Sequence, residues 1–156
     1  MTIQRVIAVS VCLVGIGSAA LLYAGSGDQP AEDRAELEAV TKKVKALEER
    51  RVTIAQAAME GARGSYEAQT ITLGELQGAQ DRLVEAERAN ASNASEVAAI
   101  CLRHRDWSVK LMEKVKLLIE SGTGTGLTTY HLETTREYAL TAEIELLRAH
   151  LASKAK

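Results

Sequence analysis

The chain has 156 residues, of which 46% are hydrophobic but only 3% aromatic, and a formal net charge of −2. That length makes one modest domain, and with no phenylalanine and a single tryptophan its core must be built from Ala, Leu, Val and Ile. The near-neutral balance, without a basic stripe, interleaved aromatics or a polybasic run, speaks against nucleic-acid binding and against docking on anionic lipid.

The first 27 residues, MTIQRVIAVSVCLVGIGSAALLYAGSG, carry one early charge, Arg5, and then none from Val6 to Gly27. A positive start, an apolar middle and small residues at the end make the pattern of an export signal. A run of ~20 apolar residues is also long enough to span a bilayer. Residues 1–27 are therefore expected to be either a cleaved signal peptide or a retained inner-membrane anchor through residues 6–25. In both cases the rest of the chain is exported and faces a bacterial-type periplasm. Val11, directly before Cys12, argues against a lipoprotein processing site. Without the leader only Cys101 remains, and a lone cysteine makes no internal disulfide.

Past residue 30, Ala, Glu, Leu, Lys and Arg dominate, which is the composition of long packed helices. Asp28-Gln29-Pro30 reads as a helix start. Leu37, Val40, Val44, Leu47 and Ile54 follow at heptad spacing, with Arg51 the one polar intruder, and predict an amphipathic stripe facing a partner helix. The stripe then thins to Ala57, Ala58, Gly61, Ala62 and Gly64, small residues that invite close approach of another helix. Gln69 to Thr72 interrupts the pattern.

A second helix carries Leu73, Leu76, Ala79, Leu83 and Ala86 on one face, and Thr72 stands three residues before Glu75, as in a capping box. Asn90 to Ser95 is a softer break, its Asn-x-Ser triplets read as turn and cap residues, with Ser95 or Asn93 as the cap. A third helix shows Val97, Ile100, Cys101, His104, Trp107, Leu111, Val115 and Leu118. The glycines of SGTGTG, Ser121 to Gly126, end it. This segment follows a helix and lacks the Gly-Lys-Ser/Thr of a phosphate loop, so it reads as a turn. Thr128 or Thr129 caps a fourth helix with Tyr130, Leu140, Ile144, Leu147 and Leu151 as its apolar set.

The expected fold is all-α: an N-terminal apolar helix, then two antiparallel helical hairpins, residues 28–92 and 93–156, coiled-coil-like or closed as a four-helix bundle.

No catalytic residues are assigned, and no cofactor. His131, Glu133 and Glu137 cluster in sequence, yet no nucleophile pairs with them at an informative spacing. Cys101 and His104 share a helix face and offer two metal ligands, where a closed site needs four, or three plus water. They are read as core residues, the alternative being a metal or stress sensor or chaperone that recruits another histidine.

The segment YEAQTITLGELQGAQDRLVEAE resembles the hairpin segments of TolC-type outer-membrane efflux proteins. Tyr66, Thr72, Glu75, Ala79, Leu83 and Ala86 match the pattern, and Gln69 stands where glycine is usual. The second turn offers Gly122, Gly124 and Thr125 before AEIELLRA, Ala142 to Ala149, but lacks the tyrosine and the acidic residue. The resemblance spans roughly residues 60–150. It implies coiled-coil hairpins whose turns meet a protein partner, with Tyr66, Gln69, Thr72, Glu75, Gly122, Gly124 and Thr125 as the contacting residues. No segment alternates apolar and polar over the ~10 residues that a membrane β-strand takes, so the chain is not the channel itself. The function expected is a non-enzymatic envelope protein working through a protein partner or self-association.

Overall fold

The structure, a computed structural model, describes residues 31–124 and 126–154. The leader expected over residues 1–27, the helix start at Asp28–Pro30 and the tip residue Thr125 lie outside the described residues. Among the described residues four helices follow one another: α1 (Ala31–Glu67), α2 (Leu73–Asn90), α3 (Ala94–Glu120) and α4 (Thr129–Lys154). The fold is all-α, and among the described residues no helix is long and apolar enough to cross a membrane. Contacts divide the chain into two compact units, residues 1–42 and 43–156. The second unit holds everything described below unless stated.

Side-chain pairs give the directions of the helices. Arg51 reaches Glu85 at 3.0 Å, while Met59 packs on Leu73 and Leu76, so α1 and α2 run antiparallel. Arg103 meets Glu87 at 2.9 Å and Leu111 packs beside Leu76, which makes α2 and α3 antiparallel as well. The pairs Arg105–Glu143 and Cys101–Leu146 do the same for α3 and α4. The α1–α2 and α3–α4 turns therefore share one end of the unit. The α3–α4 pair is packed most extensively, and α1 leans on α2 and α3 through Met59, Ala62 and Tyr66.

The helix ends are held by local chemistry. The Thr72 N–H donates to Glu75 Oε2 (2.7 Å), and Thr72 Oγ1 accepts from the Glu75 N–H (3.2 Å), completing the expected capping box. The Thr72 N–H, joined by the Thr72 hydroxyl donating to the same Oε2 at 2.8 Å, holds the Glu75 carboxyl below its ordinary range. Asn93, not Ser95, caps α3 by accepting from the Glu96 N–H at 3.0 Å. At the start of α4 the Thr128 N–H donates to His131 Nδ1 at 3.1 Å, the imidazole taking the place a glutamate holds in a capping box.

The end of α1 is less usual. Gln69 has φ of 59°, its N–H bonds to the Tyr66 carbonyl (3.0 Å), and the Thr70 N–H reaches back to the Ser65 carbonyl (2.9 Å). This is the paired closure of a Schellman motif, whose left-handed residue is normally glycine. A side chain there costs ~1–2 kcal/mol. Gln69→Gly is accordingly expected to stabilise the protein by about 1 kcal/mol and to raise its melting temperature by about 3 °C; an unchanged or lower value by circular dichroism would contradict the strain.

The apolar faces expected for α2 and α3 are the buried ones: Leu73, Leu76, Ala79 and Ala86 on α2, and Ile100, Cys101, His104, Leu111 and Val115 on α3. The other two helices depart from expectation. On α1 the inward residues are Val52, Ala55, Met59, Ala62 and Tyr66, while Val44, Leu47 and Ile54 are 36%, 57% and 60% exposed. Leu37 and Val40, in the first unit, are exposed too. The predicted stripe is thus one position, ~100° of helix, away from the face that packs. Gly61 and Gly64, expected to admit a close neighbour, have open space where a Cβ would stand.

On α4 the inward face is Thr135, Ala139, Ala142, Leu146 and Ala149, whereas Tyr130, Leu140, Ile144, Leu147 and Leu151 are all exposed. Small inward side chains let α4 lie close along α3, which leaves its larger aliphatic residues on the outside.

Candidate functional site: the hairpin tips and an inner polar seam

The two turns converge. Between them lies an open cavity of about 490 Å³ with apolar walls from Ile71, Leu73, Leu118 and Leu127. Tyr66, Glu67, Gln69, Thr72, Lys114, Thr123 and His131 supply its polar atoms. Lys114 Nζ stands 3.8 Å from Glu67 Oε1, bridging α3 to α1 at the rim. Both side chains are about half exposed, so the pair orients the rim more than it stabilises the fold. Burial raises the Tyr66 phenol above its ordinary range, keeping it a neutral donor and acceptor. A second cavity of about 480 Å³ shares Tyr66, Glu67 and Lys114 and continues past Met59, Leu76 and Trp107.

Of the residues expected at a contacting tip, Tyr66, Gln69, Thr72 and Gly124 line this one cavity. Gly124 is there for packing: a Cβ would meet the Leu118 carbonyl and Cβ at 3.1 Å. Glu75 and Gly122 are not in its lining. Glu75 is engaged in the cap of α2, and Gly122, at φ of 67°, terminates α3. Lys114, Leu118, Leu127 and His131 join the site without having been expected; only the helical spacing of Leu118 marked any of them as near a turn.

A second constellation lies inside the unit. His104 is buried, and its Nε2 is 3.0 Å from the Tyr138 hydroxyl, which donates to Asp81 Oδ1 at 2.5 Å. With the phenol proton directed at Asp81, the imidazole donates through Nε2–H, so Nδ1 is the bare nitrogen. That Nδ1 has no hydrogen-bond partner and sits 3.8 Å from Glu145 Oε2, which in turn takes Arg88 at 3.3 Å. Burial pushes the His104 pKa down, outweighing the pull of Glu145 and Asp81, while Arg88 adds to the depression. His104 is therefore neutral near pH 7, and its approaches to the two carboxylates are not ion pairs.

Tyr138, half-buried and bonded to Asp81, stays protonated far into the alkaline range. Its ring edge meets Trp107 at a centroid distance of 6.1 Å, so the tryptophan is packed between helices and lines the second cavity.

Cys101 is fully buried among Ala98, Leu146 and Ala149, and burial pushes its thiol pKa up. A thiol held protonated in apolar surroundings is a poor nucleophile and a poor metal ligand. Among the described residues no group of three or more His, Cys, Asp and Glu side chains is arranged to hold a metal ion. The seam is an oriented, half-buried polar network around His104, whose Nδ1 is left bare.

The fold and site define the class as an all-α helical-hairpin protein with paired tips around an open cavity. Comparison with protein-family models, curated proteins and solved structures gives no match for this chain.

Proposed function

We propose that this chain is an exported, non-enzymatic helical protein that faces the periplasm and engages a protein partner with the paired tips of its hairpins. One observation carries the reading: residues from both turns, among them Tyr66, Gln69, Thr72 and Gly124, surround a single open cavity with apolar walls and a polar rim. A recess of that size and character suits a bulky apolar side chain from a partner, with the rim groups fixing its approach. The sequence resemblance to efflux-type hairpins points to the same turns, and a leader with Arg5 ahead of an uncharged apolar run fits export or anchoring through residues 6–25.

The test is site-specific photo-crosslinking of the full-length chain in intact cells, with the probe at Gln69, at Thr123 or, as a far-end control, at Ser92. The two tip positions are expected to yield the same discrete adduct, and Leu127→Glu to remove it. Absence of tip adducts, or equal labelling from Ser92, contradicts the reading.

The second reading, a metal or stress sensor using Cys101 and His104, draws on the bare His104 Nδ1. Stoichiometric zinc binding by the full chain, lost on His104→Ala and on Cys101→Ala, would favour it over the first.

A further inference from the structure

We infer that the outward stripe of α1 is a self-association seam, and that it pairs in parallel with the same stripe of a second copy of this chain. The inference stands on residues separate from the tip cavity and holds whether or not the tips bind a partner.

The helix has two apolar stripes in strict four–three alternation. One, through Val52, Met59 and Tyr66, is used within the chain. The other, through Val44, Leu47 and Ile54, is covered by nothing among the described residues of the second unit. In heptad terms Val44 and Arg51 are a positions, Leu47 and Ile54 d positions, and the sequence carries the same repeat back through Val40 and Leu37. A surface helix that needed only its own bundle would keep one stripe.

The flanking charges select the occupant and its direction. In a parallel, in-register pair, the g position Lys43 of one copy lies beside the e position Glu48 of the other, and symmetry makes this pair twice. Neither residue has an ion-pair partner among the described residues of its own chain. In an antiparallel pair centred on Val44 and Leu47, Lys43 would instead face Arg50 of the second copy, again twice, placing like charges together. Arg51 at an a position would be costly in the seam, but its guanidinium is drawn aside to Glu85 on α2 at 3.0 Å. A single charged a residue disfavours shifted registers and larger assemblies. The parallel arrangement also brings the tip cavities of both copies to the same end.

The experiment is disulfide crosslinking of the full-length chain carrying Cys12→Ser, with Cys101 left in its buried place. Leu47→Cys, a d position, is expected to form a disulfide dimer under mild oxidation, while Thr53→Cys, on the exposed flank of the same helix, and Leu147→Cys, on the α4 stripe, do not. Lys43→Glu is expected to weaken the dimer about threefold or more, from two symmetry-related exposed pairs, and Lys43→Glu combined with Glu48→Lys to restore it. The inference is overturned by equal crosslinking at Thr53→Cys, by crosslinking at Leu147→Cys in place of Leu47→Cys, or by dimers that form only between Val44→Cys and Leu47→Cys chains, the antiparallel signature. It is equally overturned if the charge swap leaves a Lys43→Glu loss unrestored.

Discussion

Leu76→Ala is expected to remove about 3 kcal/mol of folding stability, within the range for deleting a buried leucine side chain, and to lower the melting temperature by about 10 °C. Leu76 is 3% exposed and belongs to the cluster in which Met59 of α1, Leu73 and Ala79 of α2, and Leu111 and Val115 of α3 meet. Three helices converge there, so the gap cannot be closed by shifting one of them without opening another contact. It also lines the second cavity, so the loss should loosen α1 against α3. The informative comparison is Leu147→Ala. Leu147 is 53% exposed, and its truncation should change stability by less than ~0.5 kcal/mol. Thermal and urea unfolding followed by circular dichroism decide the matter; equal losses for the two variants would mean that the assigned core is wrong.

Acid should destabilise the protein through His104. An unfolded histidine titrates near pH 6.5, and burial holds the folded His104 below that value. As pH falls through 6.5 the unfolded chain takes up a proton that the folded chain refuses, so the unfolded state gains. The contribution of neutral His104 is fully present above the unfolded pKa and is lost as pH falls toward the folded one. His104→Leu should flatten that limb of the stability profile measured by urea titration from pH 8 to pH 5. Glu75, whose carboxyl is held low by its cap, acts in a separate window: its contribution is present above about pH 4.5 and lost below it. Tyr138→Phe tests the same seam at fixed pH. Removing the hydroxyl strands the buried His104 Nε2, at a cost of about 1–3 kcal/mol for a buried group left unpaired, while the exposed Asp81 carboxylate can turn to water. A neutral Tyr138→Phe, or an unchanged acid limb in His104→Leu, would remove the seam from the list of stabilising elements.

What could be read in advance divides along physical lines. The caps at Thr72 and Asn93 and the turns at Gln69 and Gly122 depend on residues a few positions apart, and a sequence displays those directly. The buried faces of α2 and α3 were legible because each of these helices has neighbours on its one strong stripe. For α1 and α4 the strongest stripes point outward. Periodicity reveals that a stripe exists but not what covers it, and the inward face of α4, built from Thr135, Ala139, Ala142 and Ala149, has little hydropathic contrast to announce it.

The site divides in the same way. Each tip could be recognised as a turn, but that Gln69 and Gly124 share a cavity depends on how four helices close together. The Tyr138–Asp81 bond joins residues 57 apart, and neither side chain carries a local signal of the other.

The order in which the helices are made adds a consequence of the way α1 packs. Met59 finds its partners not only in Leu73 and Leu76 but in Leu111 and Val115, far downstream. At 5–20 residues per second of synthesis, Leu111 is added roughly 3–10 s after Met59. Throughout that interval the inner stripe of α1 is without its downstream neighbours, whereas α3 and α4 can close on each other as soon as α4 is complete. The first of the four described helices to be synthesised must wait for the third before its inner face is covered.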